Sequence, residues 1–133
     1  MTGIRELPAL LTSLEPVLVA GLHTFAHVTP EEMARLSHPP LATFREREGI
    51  TLICPLAEAE ELGLRHEGKF RQITLSVHSS LAAIGLTAAV STELARHHIP
   101  CNVVAAFFHD HLFVPADKAD RALTLLQSLA DST

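Results

Sequence analysis

The residues best suited to chemistry gather at His109-Asp110-His111. On a strand, residues i and i+2 point the same way, so two imidazoles there could share a cation or hold a small polar molecule. His78, on a neighbouring predicted strand, could approach them. The same tripeptide falls at a predicted hairpin corner, where Asp bonds its own backbone without any ligand. The bare turn is the preferred reading, ahead of a small-molecule contact and then of a metal, so no metal site is assigned. Ser79 and Ser80 follow His78, but adjacency in sequence does not hold the base-to-nucleophile geometry of a triad. They are expected to cap the following turn. No catalytic residue and no cofactor is assigned. Glu46-Arg47-Glu48 reads as a solvated loop of paired charges, and His97-His98 as a favourable pair at a helix C-terminus. Gly85 is different: it precedes a helix, where backbone N–H groups can receive a carboxylate or another anion.

These positions need elements to hold them. Gln72–His78 alternates apolar Ile73, Leu75 and Val77 with small polar Thr74, Ser76 and His78, as a strand does. Leu86–His97 carries Leu86, Val90, Leu94 and Ala95 on one stripe, spaced for a helix packed on a sheet. Asn102–Phe108 is apolar on both faces and is expected to be a strand covered on both faces. His111–Val114 returns beside it, and Pro115 opens a last helix. Upstream, Ile4–Leu14 has helical spacing with Pro8 in its first turns and Pro16 at its end. Val17–Val28 reads as a strand with a bulge at Gly21. Thr29 caps a short helix from Pro30 to Leu36. Leu41–Arg45 and Ile50–Cys54 form a hairpin closed by Gly49. Pro55 starts a helix through Leu64, with Gly63 as its cap and Gly68 marking the next turn.

The two halves of this list echo each other. Thr51–Pro55 matches His111–Pro115 at an offset of 60 residues, Ala42-Thr43-Phe44 matches Ala105-Ala106-Phe107 at 63, and Leu22-His23-Thr24 matches Val77-His78-Ser79 at 55. The second hairpin turn is therefore expected to be three residues shorter than the first. Each half reads β-α-β-β-α. The expected fold is α+β: tandem ferredoxin-like βαββα halves at 1–68 and 69–133, antiparallel sheets with helices on one face.

Composition bounds the function. The chain has 133 residues, 47% hydrophobic and 19% charged, as globular proteins do. Its net charge is −5 with histidines neutral, and no long basic cluster appears, which argues against nucleic acid and anionic membranes as partners. No apolar run approaches the ~20 residues that span a bilayer. Nothing at the start resembles a signal peptide. Cys54 and Cys101 are expected to be reduced, as in a cytoplasmic protein.

The run Gly85–Ile99 resembles the first helix of the ACT domain and its approach to the second strand. Asn102–Val104 through His109–Val114, with Pro40–Glu46 and Glu48–Leu52 upstream, resembles the ACT-like branch found in small tandem proteins. That resemblance implies regulatory modules that bind small molecules, usually amino acids, and that form dimers. Ligands in the family sit between subunits or halves, and the corresponding positions here are Ile84, Gly85 and Leu86, with Asn102, Val103 and Val104 opposite. Asn102 offers a donor and an acceptor there, and Asp110 could meet a cationic group at the far end. Gly85→Val is expected to block a ligand while sparing the fold. Two departures stand out: Ala82-Ala83-Ile84 lies where many ACT domains carry an acidic or polar residue and proline, and His98 replaces a frequent helix-ending glycine. The resulting expectation is a non-catalytic, small-molecule-binding homodimer. Its rivals are a protein-interaction module and a His/Asp-dependent enzyme.

Overall fold

The computed structural model describes residues 6–78 and 84–132. Helix α1 (Leu7–Thr12) has Pro8 in its opening positions and buries Leu10. It is shorter than the periodicity predicts at its C-terminal end: Ser13 closes it, and Glu15 takes a left-handed φ of 41°. Strand β1 (Pro16–Val28) follows, with Gly21 at φ 98°. Helix α2 (Pro30–Ala34) starts in a capping box: the Thr29 hydroxyl accepts from the Glu32 N–H at 3.1 Å, and the Glu32 carboxylate accepts from the Thr29 N–H at 3.0 Å. Strands β2 (Ala42–Glu46) and β3 (Gly49–Pro55) form the first hairpin, and helix α3 (Leu56–Leu62) ends at left-handed Gly63. Then come β4 (Arg65–Leu75), α4 (Leu86–Arg96), β5 (Asn102–Ala105) and β6 (Asp110–Pro115). A turn of 3-10 helix leads into α5 (Ala119–Asp131).

The chain divides into two compact units, Gly21–Phe70 and Met1–Ala20 with Arg71–Thr133. In the first, hydrogen-bonded strands run β2-β3-β1-β4; in the second, β1-β4-β6-β5. Each unit has the expected βαββα run plus a fourth strand. In Gly21–Phe70 that strand is the start of β4; in the other it is the start of β1. The strand predicted from Gln72 thus begins seven residues earlier, at Arg65, and Gly68 lies inside it and not at a turn. Residues 65–69 escaped the sequence pattern because they are exposed and charged, as edge strands are. Both β1 and β2 pair antiparallel with β3, so β1 and β2 run parallel with β3 between them. This is the crossover expected of a ferredoxin-like unit.

The second hairpin differs from expectation. β5 ends at Ala105, and the ladder closes with the Ala106 N–H donating to the His109 carbonyl at 3.0 Å. Phe107 and Phe108 form the turn, 68% and 54% exposed, so they do not extend the strand. Leu52 faces Thr43 in one hairpin and Leu112 faces Val103 in the other, an offset of 60 on both strands. The two turns are therefore equal in length, Arg47-Glu48 and Phe107-Phe108, and the 63-residue alignment was out of register. β5 is also not covered on both faces: Asn102 and Ala105 are exposed, and Val103 and Val104 are half-buried. Its place at the end of the strand order explains this.

Each unit has its own core. In one, Leu10 and Leu14 beside α1, Ile73 and Leu75 of β4, and Leu86, Val90 and Leu94 of α4 pack with Leu112, Val114 and Leu126. In the other, Ala26, Val28, Leu52, Cys54, Ala59 and Leu64 pack together. Ala95 lies exposed, off the predicted stripe, and Ile99 takes its place in the core. The cause is a Schellman turn: the Ile99 N–H reaches the Leu94 carbonyl at 3.0 Å, the His98 N–H reaches the Ala95 carbonyl at 3.0 Å, and His98 is left-handed at φ 60°.

Candidate functional site

Gly85 caps α4 with φ 98° and no side-chain cap bond. A Cβ there would lie 3.2 Å from the Leu7 side chain in a conformation L-residues rarely adopt. Substitution at Gly85 therefore strains the fold, contrary to the expectation that Gly85→Val would spare it. Beside it runs a shallow hollow of about 450 Å3, floored by Leu7, Ala88, Ala89 and Leu129. The Arg96–Glu93 pair, 2.8 Å apart, lines the hollow as well. Ile84 is 85% exposed, whereas Leu86 is buried in the core.

The other predicted positions lie on the β5–β6 hairpin. Asn102 is exposed, and its amide N–H reaches the Phe113 carbonyl at 3.5 Å. Val103 packs against the helix-side core. Val104 faces His111 and Ala105 faces Asp110 across the ladder. Asp110 is buried. The structure thus places Asn102, Val103, Val104 and Asp110 on paired strands, and Ile84, Gly85 and Leu86 at the start of α4. Leu86 and Val103 spend their side chains on packing.

A polar network next to Val104 was only half visible in the sequence. The Gln72 amide N–H and the Thr74 hydroxyl both point at His111 Nδ1, at 3.2 and 3.0 Å, and the Gln72 amide also reaches Thr74 Oγ1 at 3.1 Å. His111 Nδ1 is therefore an acceptor, and the ring carries its proton on Nε2. Burial pushes the His111 pKa down, the His109 ring adds to that, and Asp110 opposes it. His109 donates from Nδ1 to the Val77 carbonyl at 3.3 Å. The two rings stand 6.5 Å apart, nearly perpendicular, and His78 lies 5.5 Å from Phe108. The signal for Gln72 and Thr74 was their alternation with Ile73 and Leu75; the cross-strand partner was not readable. Among the described residues no three His, Cys, Asp or Glu side chains come together as metal ligands. Ser79 and Ser80 lie outside the described residues. Cys54 and Cys101 are free, and burial raises both thiol pKa values, that of Cys101 to about 11. Buried thiols of this kind are poor nucleophiles.

The folds of the two units, α+β with ferredoxin-like strand order and helix-side cores, define the class as a tandem ferredoxin-like protein. Family comparison sharpens this: an ACT domain family model matches residues 2–71 and a second ACT domain model matches residues 67–128. The chain belongs to the ACT domain family. It is 44% identical to a protein of unknown function from Vibrio cholerae, VC0802, described as a possible transport protein, covering 92% of this chain and 94% of that one at a TM-score of 0.82. It shares its fold with protein Atu0741 from Agrobacterium tumefaciens, at 17% identity, 86% and 87% coverage and a TM-score of 0.67. It also shares it with the regulatory subunit of aspartate kinase from Thermus thermophilus, at 9% identity, 88% and 97% coverage and a TM-score of 0.67. No curated protein matches the chain.

Proposed function

We propose that this chain is a regulatory protein that binds a small molecule, with amino acids as the ligand class, and that it is not an enzyme. The observation that carries the reading is its likeness in fold, along nearly its whole length, to a regulatory subunit of aspartate kinase. The two family matches support its reading as two ACT-like modules, 1–68 and 69–133. The ligand site of this reading comprises Ile84, Gly85 and Leu86 with Asn102, Val103, Val104 and Asp110. Gly85 supports it by leaving backbone N–H groups open at a helix start, and Asn102 by its exposed amide. The protein acts as a cytoplasmic homodimer in this reading. A second reading, a docking module for another protein, is favoured by the exposed Phe107 and Phe108.

A thermal-shift screen of the full chain against the amino acids separates the two. A ligand of the native state raises the melting temperature in proportion to the logarithm of its saturation. Asn102→Ala should then lower the affinity by about 1–3 kcal/mol. A screen in which no amino acid raises the melting temperature overturns the first reading and leaves the docking module.

A further inference from the structure

Gln72, Thr74 and His111 form a closed triangle of polar atoms. Gln72 Nε2 lies 3.1 Å from Thr74 Oγ1 and 3.2 Å from His111 Nδ1, and Thr74 Oγ1 lies 3.0 Å from His111 Nδ1. Gln72 is buried on β4, and His111 is half-buried on β6. With the ring neutral and its proton on Nε2, both Gln72 amide hydrogens and the Thr74 hydroxyl hydrogen point into the triangle. Only the Thr74 oxygen and the lone pair of Nδ1 receive them, so donors outnumber acceptors. A second proton on the ring occupies Nδ1 and removes that lone pair. Turning the Gln72 amide over exchanges its nitrogen and oxygen without changing the shape of the side chain. Nδ1–H then donates to Thr74 Oγ1 and the Thr74 hydroxyl to Gln72 Oε1, and every hydrogen inside the triangle has its own acceptor.

The charged groups around the triangle are few. Across the ladder His111 faces Val104, and no side chain of β5 titrates. On β4 the Arg71 guanidinium is held by the Val19 carbonyl at 3.1 and 3.3 Å, and after it His78 rests against Phe108. The Pro16–Ala20 part of β1, in the same unit, has no titratable side chain. The helices pack on the opposite face of the sheet, with Leu112 and Val114. On β6 the His109 ring, 6.5 Å away, opposes a second charge and Asp110 favours one. We propose that the triangle is a proton-operated switch: when His111 takes a second proton the Gln72 amide turns over, the hydrogen bonds reverse direction, and a positive charge appears on the sheet face opposite the helices while β4 and β6 stay bridged. Burial and His109 outweigh Asp110, so the switch acts below the ordinary pKa of 6.5. The charge arises beside Val104, which makes binding at the proposed ligand site depend on pH. That consequence rests on the function proposed above, whereas the reversal itself does not.

NMR of the full chain without ligand, with 15N in the histidine rings and glutamine side chains, tests the reversal between about pH 7.5 and 5. At the upper end His111 is expected to show a bare Nδ1 and a protonated Nε2. On acidification Nδ1 gains its proton, and the Gln72 amide signals move with the same midpoint, below about 6.5. His111→Phe should abolish that movement of the Gln72 signals. Gln72→Leu should lower the His111 midpoint by about 0.5–1 unit, because the cation loses a carbonyl acceptor worth more to a charged donor than to a neutral one. The backbone amide spectrum of each variant reports whether it is folded. A neutral ring that already carries its proton on Nδ1 overturns the proposal. So does a Gln72 amide that stays still while His111 titrates, a ring that stays neutral until the chain unfolds, or a His111 midpoint that Gln72→Leu leaves in place or raises.

Discussion

Single residues in this chain carry recognisable backbone and proton costs. His98 occupies the left-handed position of a Schellman turn, the place Gly63 fills after α3. A side chain with a Cβ is disfavoured there by about 1 kcal/mol. His98→Gly should therefore stabilise the fold by that amount, read as a higher urea midpoint with the slope of the transition unchanged. Gly85→Ala should do the reverse and cost about 1–3 kcal/mol, because φ 98° and the nearby Leu7 side chain both oppose a Cβ. His111 gives a pH prediction. Its folded pKa lies below the ordinary 6.5 because the site is buried, and His23 shifts the same way for the same reason. The folded state thus binds fewer protons than the unfolded chain. Stability is fully present above the unfolded pKa and falls as pH drops through about 6.5 toward the folded value. Denaturation midpoints between about pH 5 and 7.5 should show that slope, and His111→Phe should make it shallower, leaving the part that His23 contributes.

At the scale of elements, local sequence and packing act together in α2 and α4. The capping box at Thr29 satisfies two helix-end groups with the residues that the sequence itself displays. Thr29→Ala should cost about 1 kcal/mol, read by chemical denaturation. α4 rests on Leu86, Val90 and Leu94, all buried. Leu94→Ala leaves a cavity between the helix and the strands beneath it and should cost about 2–5 kcal/mol. The strands were harder to read than the helices. Val103–Phe108 is uniformly apolar, and nothing in that run says that Phe107 and Phe108 form a turn. Conversely, Arg65–Lys69 is polar and glycine-containing, yet it is strand, because an edge position leaves its side chains in water.

The whole molecule is organised differently from its sequence repeat. Family matches fall at residues 2–71 and 67–128, while the compact units are Gly21–Phe70 and the remainder. Leu10 and Leu14 pack into the core built by α4, α5, β4 and β6. A fragment of residues 69–133 would lack those two leucines and the first residues of β1. Losing buried leucines costs about 2–5 kcal/mol each, against a typical total of about 5–15 kcal/mol. The fragment should not unfold cooperatively by far-ultraviolet circular dichroism, and adding the segment 1–20 in the same chain should restore the transition. A 69–133 fragment that melts as sharply as the full chain would refute this arrangement.

Periodicity and turn chemistry in the sequence determined the class of fold, the order of nearly all elements, and the caps at Thr29 and Gly63, because these are local properties of side-chain spacing and backbone freedom. The same local logic drew attention to Gly85 and the histidines of the second hairpin, while the ACT resemblance pointed to Asn102. Tertiary structure alone decided which segment completes each sheet, since that depends on pairing between residues some fifty positions apart, such as the Arg71 guanidinium on the Val19 carbonyl. It alone decided that Val103 serves the core, because burial depends on what packs across from a residue. It also joined Gln72, Thr74 and His111 into one hydrogen-bonded group, because hydrogen-bond partners are set by neighbours in space and not in sequence.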